Sequence, residues 1–370
     1  MKTLQLVPAM AEGGVERGVV EMNRVFTAVK WANVVVSAGG RLVADIERDG
    51  GRHITLDVKS KNPLTYFFRA AKLKKILETE RPDVVCAHSR VPAWLFVWAN
   101  RKLGIPWITF AHGANSISRY SRVMTKGDLT VTPSTYIADY LKAAYGIADE
   151  KLRVIPRAIE SGRFDMENLD GAFIEAKRLQ WGIEKPKHFV VMGLGRITQL
   201  KGYDTLIRAM ALLNRDGGGT PRYRLIIVGE AEARRKDVEL ALKSLVKELR
   251  VADDVVFAGN QRKVAECLSL ADVVVSANTK KPEAFGRSMA EALAMGKPVV
   301  ARAFGGALDV VRDGVDGLLV GQGDYPVLFS EAIRKVSQMS FGDLRKSALE
   351  RFSFDKMANS AIAVYKEVAK

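Results

Sequence analysis

Residues 188–214, HFVVMGLGRITQLKGYDTLIRAMALLN, consist of an apolar strand-like segment, a glycine-containing loop and an amphipathic helix-like segment. The strand is predicted at about 188–193 and the helix at about 203–214. The same strand–turn–helix order recurs along the whole chain. Apolar strands that alternate with helices predict parallel sheets covered on both faces. Right-handed crossovers would make each half of the chain a doubly wound α/β domain.

The same apolar patterns predict the remaining elements. Strands are predicted in the first half at Leu4–Val7, Asn33–Ser37, Ile54–Val58, Asp83–Ala87, Trp107–Ala111, Leu129–Thr132 and Arg153–Pro156. The other strands of the second half lie near 224–229, 255–258, 272–276, 298–301 and 317–320. The other helices are predicted at roughly 15–29, 63–79, 92–103, 134–145, 233–249, 262–270, 286–295 and 306–312.

A chain of 370 residues is too long for one compact core and suits two domains of ordinary size. We predict a Rossmann-like domain at 1–165 and a second at 170–350, with a further helix over 351–370. No strand is predicted near 160–171, and this gap marks the boundary between the two domains. Ligands of doubly wound domains bind at the carboxyl ends of the strands. We therefore expect a central cleft between two facing domains to hold the site.

Composition narrows the class of protein. The hydrophobic fraction of 48% is that of a soluble globular protein, and the apolar runs are strand-length, not membrane-length. Cys86 and Cys267 lie in apolar contexts and are interpreted as buried free thiols. No signal-like apolar segment follows Met1, so a cytoplasmic location is expected, with peripheral attachment to the inner face of the membrane as a variant of it.

The net charge of +15 favours an anionic partner, which could be nucleic acid, an anionic membrane or a phosphorylated ligand. No helix-turn-helix, zinc-finger spacing or RNP-like strand is found, so nucleic acid is not expected. Residues 59–75 combine lysines with Tyr66, Phe67 and Phe68 on a predicted helix. Such a helix can lie on anionic lipid. The alternative is an ordinary covering helix with both phenylalanines in the core.

Two glycine loops follow predicted strands. Gly13 and Gly14 lead into the first helix, where glycines let backbone approach a ligand and free N–H groups can face an anion. Gly195 lies next to Arg196, and Lys201 follows before the next helix. A guanidinium and an ammonium there can neutralise a diphosphate leaving group, as a metal ion does elsewhere.

Two glutamates stand eight residues apart in the stretch Pro282–Leu293. Glu283 precedes the predicted helix and Glu291 lies two turns inside it, with Phe285 and Gly286 at the helix entrance. Each carboxylate could accept hydroxyls from a different part of one long ligand. A sugar joined to a ribose through a diphosphate has that shape.

Further candidate residues lie at the ends of other predicted strands. His112 could donate to a hydroxyl or to the developing charge on a transferring sugar. Backbone groups around Gly229, Glu230, Arg262 and Val264 could hold a base. No Asp-x-Asp follows a strand, and neither zinc spacing, a Gly-x-Ser-x-Gly elbow nor a P-loop is present, so no metal or other cofactor is expected.

These residues together resemble the retaining glycosyltransferases of family 4, which have the GT-B fold. The resemblance runs nearly end to end and is strongest over 193–320. Its paired glutamates match Glu283 and Glu291, and its basic pair matches Arg196 and Lys201. This sequence departs from the family pattern at two positions: Ala284 stands where a glycine is common, and Asp309 stands where a glutamate is common.

The resemblance implies a role for each matched residue. Glu291 would bind the ribose, Glu283 the donor sugar, and Arg196 with Lys201 the diphosphate. Gly14 would approach that diphosphate from the other domain, His112 would lie by the sugar, and the last helix would cross back onto the first domain. The acceptor would enter over the first domain, whose basic face touches the membrane in relatives that act on glycolipids.

The expected reaction is transfer of a sugar from a nucleotide-diphosphate sugar, first a UDP-sugar with GDP- or ADP-sugars as alternatives, to an acceptor hydroxyl. Segments such as 88–94 resemble members that build lipopolysaccharide or other envelope glycans. Two alternatives stay open: epimerisation or hydrolysis of a nucleotide sugar on the same fold, and a non-catalytic nucleotide- or glycan-binding protein.

Overall fold

The structure is a computed structural model that describes residues 1–11, 13–215, 221–278 and 280–369. Its strands, in chain order, are β1 Lys2–Leu6, β2 Ala32–Ser37, β3 Arg52–Thr55, β4 Val84–Ala87, β5 Trp107–Phe110, β6 Leu129–Thr132, β7 Leu152–Val154, β8 His188–Leu194, β9 Arg222–Val228, β10 Val255–Gly259, β11 Val273–Ser276, β12 Val299–Arg302 and β13 Gly317–Val320. Each predicted strand overlaps one of these.

The helices, again in chain order, are α1 Gly14–Ala28, α2 Val43–Arg48, α3 Tyr66–Glu80, α4 Arg90–Ala99, α5 Thr135–Tyr145, α6 Gly171–Gln180, α7 Tyr203–Leu213, α8 Lys236–Glu248, α9 Val264–Ser269, α10 Arg287–Ala294, α11 Ala307–Val310, α12 Tyr325–Val336, α13 Leu344–Phe352 and α14 Phe354–Val368. Among them α2, α6, α12 and α13 were not predicted. Short 3-10 turns occupy several of the loops.

The chain divides into two compact units, of which unit 1 comprises Met1–Arg157 and the segment from Asp355 onward, and unit 2 comprises Ala158–Phe354. The change of unit therefore comes a few residues earlier than the predicted boundary. Residues 158–165 already belong to unit 2, because Ile159 and Phe164 are buried in its core. The last residue of the predicted helix 351–370 lies outside the described residues.

Each unit is built on one parallel sheet. The strand order is β3-β2-β1-β4-β5-β6-β7 in unit 1 and β10-β9-β8-β11-β12-β13 in unit 2. Every ladder within these sheets is parallel. Helices cover both faces, and strands such as β4 are buried along their whole length. The α/β, doubly wound fold class predicted for both halves is confirmed.

The strand orders fix where a ligand can reach each sheet. The order reverses between β1 and β4 in unit 1 and between β8 and β11 in unit 2. Loops that leave the carboxyl ends of such neighbouring strands diverge to opposite faces and leave a crevice. The loops after these four strands are therefore the places where side chains can reach such a ligand.

Candidate functional site

The loop after β8 is shaped by glycines in left-handed conformations. Gly195 has φ of 128°, and Gly202, which caps the amino end of α7, has φ of 66°. A Cβ atom at Gly202 would collide with the carbonyl oxygen of Ala277, in the loop after β11. The Tyr203 hydroxyl donates to the Gly195 carbonyl oxygen at 2.8 Å. The loops after these two neighbouring strands are thus held in direct contact.

This contact brings together two of the predicted residues. Lys201 Nζ forms an ion pair with Glu283 Oε1, and Asn278 Nδ2 donates to the same oxygen at 3.1 Å. The side chains of Lys201 and Glu283 are each 25% exposed. An ammonium and a carboxylate therefore meet at the switch point of the second sheet, partly shielded from water and still open to a ligand.

Arg196 lies further out on the same loop. Its side chain is 74% exposed and pairs with Glu232 in the loop after β9. Exposed ion pairs of this kind contribute little free energy, so a phosphate can displace Glu232 at small cost. The structure therefore places Arg196 near the carboxyl ends of the strands but does not bring it into the pair of Lys201 and Glu283.

The glycine after β9 allows two loops to approach closely. A Cβ atom at Gly229, whose φ is 143°, would collide with the Gly195 carbonyl oxygen. Ile197 N donates to the Glu230 carbonyl oxygen at 3.0 Å. Gly229 and Glu230 therefore line the same loop cluster as Gly195, and the Glu230 side chain is exposed.

The entrance of α10 follows the predicted pattern. Gly286 precedes the helix with φ of 95°, and the Phe285 side chain is buried against Phe352, with ring centroids 5.5 Å apart. Phe285 thus anchors the helix entrance in the core. Gly306 N donates to the Glu283 carbonyl oxygen at 2.8 Å, which fixes the backbone that carries the Glu283 carboxylate.

Glu291 lies on α10, two turns after Glu283. Its carboxylate accepts from Arg287 Nε at 3.1 Å, and its side chain is 14% exposed. A carboxylate held by a neighbouring guanidinium on the same helix face has a fixed orientation. The two glutamates thus stand one before and one inside the helix, as the sequence predicted.

The loop after β10 carries the other predicted donor residues. Arg262 is exposed, and its carbonyl oxygen accepts from Arg163 Nη2 at 3.4 Å. Val264 is the first residue of α9. No side chain of this loop forms part of the pair of Lys201 and Glu283, so the loop can contribute to a site through its backbone.

In unit 1, α1 begins at Gly14 and is preceded by Gly13 in an extended conformation. A Cβ atom at Gly14 would meet nothing within 4 Å, so the space beside the first turn is open. A Cβ atom at Gly13 would meet only the flexible carboxylate of Glu16, at 2.5 Å. Of the two glycines, Gly14 is the one placed for close approach by a ligand.

His112, which follows β5, belongs to a chain of buried hydrogen bonds within unit 1. Arg157 Nη2 lies 2.7 Å from His112 Nδ1, and His112 Nε2 lies 2.9 Å from His88 Nδ1. His88 Nε2 in turn lies 2.7 Å from Gln5 Oε1, and Gln5 Nε2 donates to the Tyr365 hydroxyl at 2.9 Å. Both ring nitrogens of His112 thus have partners within unit 1, and a hydrogen bond to a sugar would require one of them to be exchanged.

Burial determines the charge state of these histidines. It lowers the pKa of His88 to about 3, with a smaller contribution from the positive charge of Arg157. Burial also lowers the pKa of His112 well below its usual value, again assisted by Arg157 and by His88. Both rings are therefore neutral at physiological pH.

Several residues of these arrangements were missed from the sequence. Asn278 gave no signal because an amide in a loop is ordinary. Gln5 gave a usable signal, since it is a polar side chain between Leu4 and Leu6 in β1. Arg157 and Tyr365 are separated from their partners by dozens to hundreds of residues, and no local pattern marks them.

Other predictions concern metals and membranes. Within the described ranges, His, Cys, Asp and Glu side chains form no cluster of three that could hold a metal ion. In the same ranges no helix has both the length and the apolar character needed to cross a bilayer. Phe67 and Phe68 are 64% and 61% exposed, so the alternative that places them in the core is wrong. They lie at the start of α3, beyond its buried face.

Matches to two family models cover nearly the whole chain. Residues 12–163 match the family model described as Glycosyltransferase Family 4, and residues 173–351 match the one described as Glycosyl transferases group 1. A D-inositol 3-phosphate glycosyltransferase from Actinosynnema mirum is 30% identical over 308 residues, covering 76% of this chain and 72% of the relative.

Solved structures share the architecture. A glycosyltransferase from Rickettsia africae ESF-5 superposes with a TM-score of 0.85 at 26% identity, covering 100% of this chain and 98% of that chain. HepE from Anabaena, solved in complex with UDP and glucose, superposes with a TM-score of 0.80 at 21% identity, covering 99% of both chains. The fold is that of the GT-B glycosyltransferases.

Proposed function

Since this chain belongs to the glycosyltransferases of family 4 and group 1, we propose that it transfers a sugar from a nucleotide-diphosphate sugar to an acceptor hydroxyl, with retention of anomeric configuration. The observation that carries the donor assignment is the pairing of Lys201 with Glu283 at the switch point of the second sheet. In doubly wound domains that position is where nucleotides and their phosphates bind.

The pair suits a donor that carries both negative charge and hydroxyls. A diphosphate would compete with Glu283 for the Lys201 ammonium and with Glu232 for the Arg196 guanidinium. The carboxylate of Glu283, once released, could accept hydroxyls of the sugar, while Glu291 accepts those of the ribose. Backbone groups near Gly229, Glu230, Arg262 and Val264 would hold the base.

The chemical step then needs no covalent intermediate on the protein. The bond between the anomeric carbon and the phosphate oxygen breaks as the acceptor oxygen bonds to that carbon on the same face. The acceptor proton passes to the departing phosphate. Lys201 and Arg196 would stabilise the charge that develops on the diphosphate, which is the role that a metal ion plays elsewhere. Retention of configuration is supported by the family resemblance.

The acceptor is proposed to be an anionic glycan or glycolipid of the cell envelope. The relative from Actinosynnema mirum is named for a phosphorylated acceptor. In this chain, residues 58–77 contain six Lys or Arg residues and no acidic residue, and residues 84–127 repeat that composition. Both segments belong to unit 1. A surface of one sign favours an acceptor of the other.

A pocket between α3, α4 and the segment before the turn Ser121–Thr125 offers a place for such an acceptor. Its walls include Asn62, Tyr66, Trp94 and Tyr120. The Lys126 ammonium lies 5.2 Å from the centre of the Trp94 ring. Aromatic faces beside cations can bind a sugar ring that carries a phosphate. The same surface could rest on anionic lipid.

Purified protein with a panel of UDP-, GDP- and ADP-sugars tests this function. The true donor should raise the melting temperature, because a ligand that binds only the folded state stabilises it by about 2.7 kcal/mol at one hundred times its Kd. Product should then form only when an acceptor is present, and chelation of divalent ions should leave the rate unchanged. Turnover of the donor with no acceptor would favour the hydrolase or epimerase alternative.

A further inference from the structure

We propose that Arg157 is a positioning residue of the transfer reaction, because it fixes the tautomer of His112. It begins a chain of hydrogen bonds in which each group donates to the next, through His112, His88 and Gln5 to Tyr365 on α14. The inference rests on the proposed function, because it takes His112 to lie beside the transferring sugar. Neither Arg157 nor Tyr365 belongs to the residues assigned from the sequence.

The polarity of the chain follows from its first member. A guanidinium can only donate, so Arg157 Nη2 makes His112 Nδ1 an acceptor at 2.7 Å. The proton of neutral His112 is then on Nε2 and is donated to His88 Nδ1 at 2.9 Å. The proton of His88 must likewise lie on Nε2, which donates to Gln5 Oε1 at 2.7 Å. The Arg157 guanidinium therefore determines the tautomers of both His112 and His88.

Packing holds Arg157 in place. A Cβ atom at Gly18 would collide with the Arg157 guanidinium, so α1 makes room for that group with a glycine. The guanidinium carbon lies 5.0 Å from the centre of the Phe110 ring, on which His112 is stacked at 4.2 Å. A guanidinium fixed by helix and ring together can hold His112 in one orientation.

The other titratable groups around this hydrogen-bond chain are also kept neutral by burial. Burial raises the pKa of Cys86 to about 12 and the pKa of Tyr365 well above its usual value. Among the described residues, the titratable side chains that line this interior are Cys86, His88, Arg157 and Tyr365, and His112 is joined to them by its hydrogen bonds. The other lining side chains are apolar: Met22, Ile108, Phe110, Val131, Ile155, Pro156, Met357 and Ala361.

Neutrality matters for the reaction. The sugar gains positive character as its phosphate departs, so a protonated His112 beside it would raise the barrier. Arg157 lowers the tendency of His112 to protonate and also selects which ring nitrogen carries the single proton. In a serine protease, loss of the carboxylate that selects the histidine tautomer is severely damaging, which shows how much such a choice can contribute.

Three substitutions separate the two effects of Arg157. In Arg157→Leu both the donor and the charge are lost. In Arg157→Gln an amide donor remains without the charge, and in Arg157→Lys both are kept. Arg153→Leu is the matched control, because Arg153 lies in β7, four residues before Arg157, and pairs with Glu367 of α14 without joining the hydrogen-bond chain. Long-range ¹⁵N–¹H NMR reports the tautomers of His112 and His88, and steady-state kinetics with donor and acceptor report the reaction.

We expect Arg157→Leu to release the His112 tautomer, to lower kcat at least about tenfold with less effect on KM, and to introduce an acid limb in the pH profile. Arg157→Gln should keep the tautomer but show the acid limb, because the pKa of His112 rises without the cation. Arg157→Lys and Arg153→Leu should resemble the wild type. If Arg157→Leu does not fold, the Gln and Lys variants carry the test.

Unchanged His112 tautomers and an unchanged pH profile in Arg157→Leu and Arg157→Gln, with transfer intact, would overturn the inference and leave the proposed function standing. A wild-type protein that transfers no sugar from any donor of the panel would end the proposed function itself. The positioning role would fall with it, even if the NMR tautomers respond as expected.

Discussion

At the scale of single residues, substitution of Glu291 should affect binding of the donor more than the chemical step. Its carboxylate is held by Arg287 and nearly buried on α10. We predict that Glu291→Ala weakens binding of the nucleoside diphosphate about 10- to 100-fold, because a hydrogen bond to a charged group contributes about 1.5–3 kcal/mol. Isothermal titration calorimetry measures the affinity directly.

The control for this variant is Glu331→Ala, which removes an exposed carboxylate from α12 of the same unit. It should leave the affinity unchanged. Equal affinities for wild type and Glu291→Ala, with both proteins folded, would contradict the ribose assignment of Glu291.

The positions of site residues were predictable where the place of a residue after a strand decides them. Lys201 and Glu283 each follow a strand, and parallel neighbours bring such loops to one edge. The chain from Arg157 to Tyr365 could not be predicted, because its members meet only after the sheet has formed. His112 was selected from its place after β5, but its hydrogen bonds to His88 and Arg157 were not foreseen.

At the scale of elements, the contact between the loops after β8 and β11 depends on Gly202. We predict that Gly202→Ala destabilises unit 2 and slows transfer, because a methyl group there meets the Ala277 carbonyl and displaces Lys201. Gly296→Ala is the matched control, since Gly296 has φ of 68°, like the 66° of Gly202, but open space around it.

Both substitutions carry the left-handed strain of about 1–2 kcal/mol that any Cβ meets at this φ. Urea unfolding should show the larger loss for Gly202→Ala, and only that variant should lose activity while folded. Equal losses in both variants would mean that the contact with Ala277 is unimportant.

The elements themselves were largely predictable, because the central strands are continuous apolar runs and the longer helices show clear periodicity. Among the missed helices, α2 has one buried residue and α6 has none fully buried, so little periodicity exists to be found. By contrast, α12 buries Phe329, Ile333 and Val336 at helical spacing and carried a usable signal. The membership of α14 in unit 1 was expected only from the family resemblance.

At the scale of the whole molecule, histidine burial predicts acid sensitivity. The pKa values of His53, His88, His112 and His188 are all lowered, mainly by burial. The usual pKa of a histidine, which applies in the unfolded chain, is about 6.5. At a pH between that value and the lower pKa of the native protein, the unfolded chain binds protons that the native chain does not. The contribution of these histidines to stability is therefore fully present above pH 6.5 and falls as the pH drops, by about 1.4 kcal/mol per pH unit for His88, whose pKa is lowered to about 3.

Urea midpoints at pH 7.5, 6.5 and 5.5 measure this effect, in a range where most carboxylates stay ionised. We expect the midpoint to be lowest at pH 5.5, and His88→Gln, if folded, to show a shallower dependence. A midpoint that is constant or higher at pH 5.5 would contradict the buried neutral state of the histidines.

The basic surface of unit 1 predicts attachment to anionic membranes. Replacement of Lys72, Lys74 and Lys75 by Gln should lower co-sedimentation with vesicles that contain anionic lipid, because each basic residue near such a surface contributes about 1 kcal/mol. The same change at Lys247, Lys335 and Lys346, exposed on helices of unit 2, is the charge-matched control. Equal sedimentation of both variants and the wild type would mean that α3 is ordinary solvated surface.

We propose that two cations of the loop after β8, Arg196 and Lys201, hold the diphosphate of the donor. The most direct test compares the affinities of the nucleoside diphosphate and monophosphate for the wild type and for Arg196→Gln with Lys201→Gln, using the base selected by the donor panel. We predict that the wild type prefers the diphosphate at least about tenfold and that the double variant loses this preference, with kcat about 10²- to 10³-fold lower. An unchanged preference in the folded double variant would contradict the binding of the diphosphate by Arg196 and Lys201.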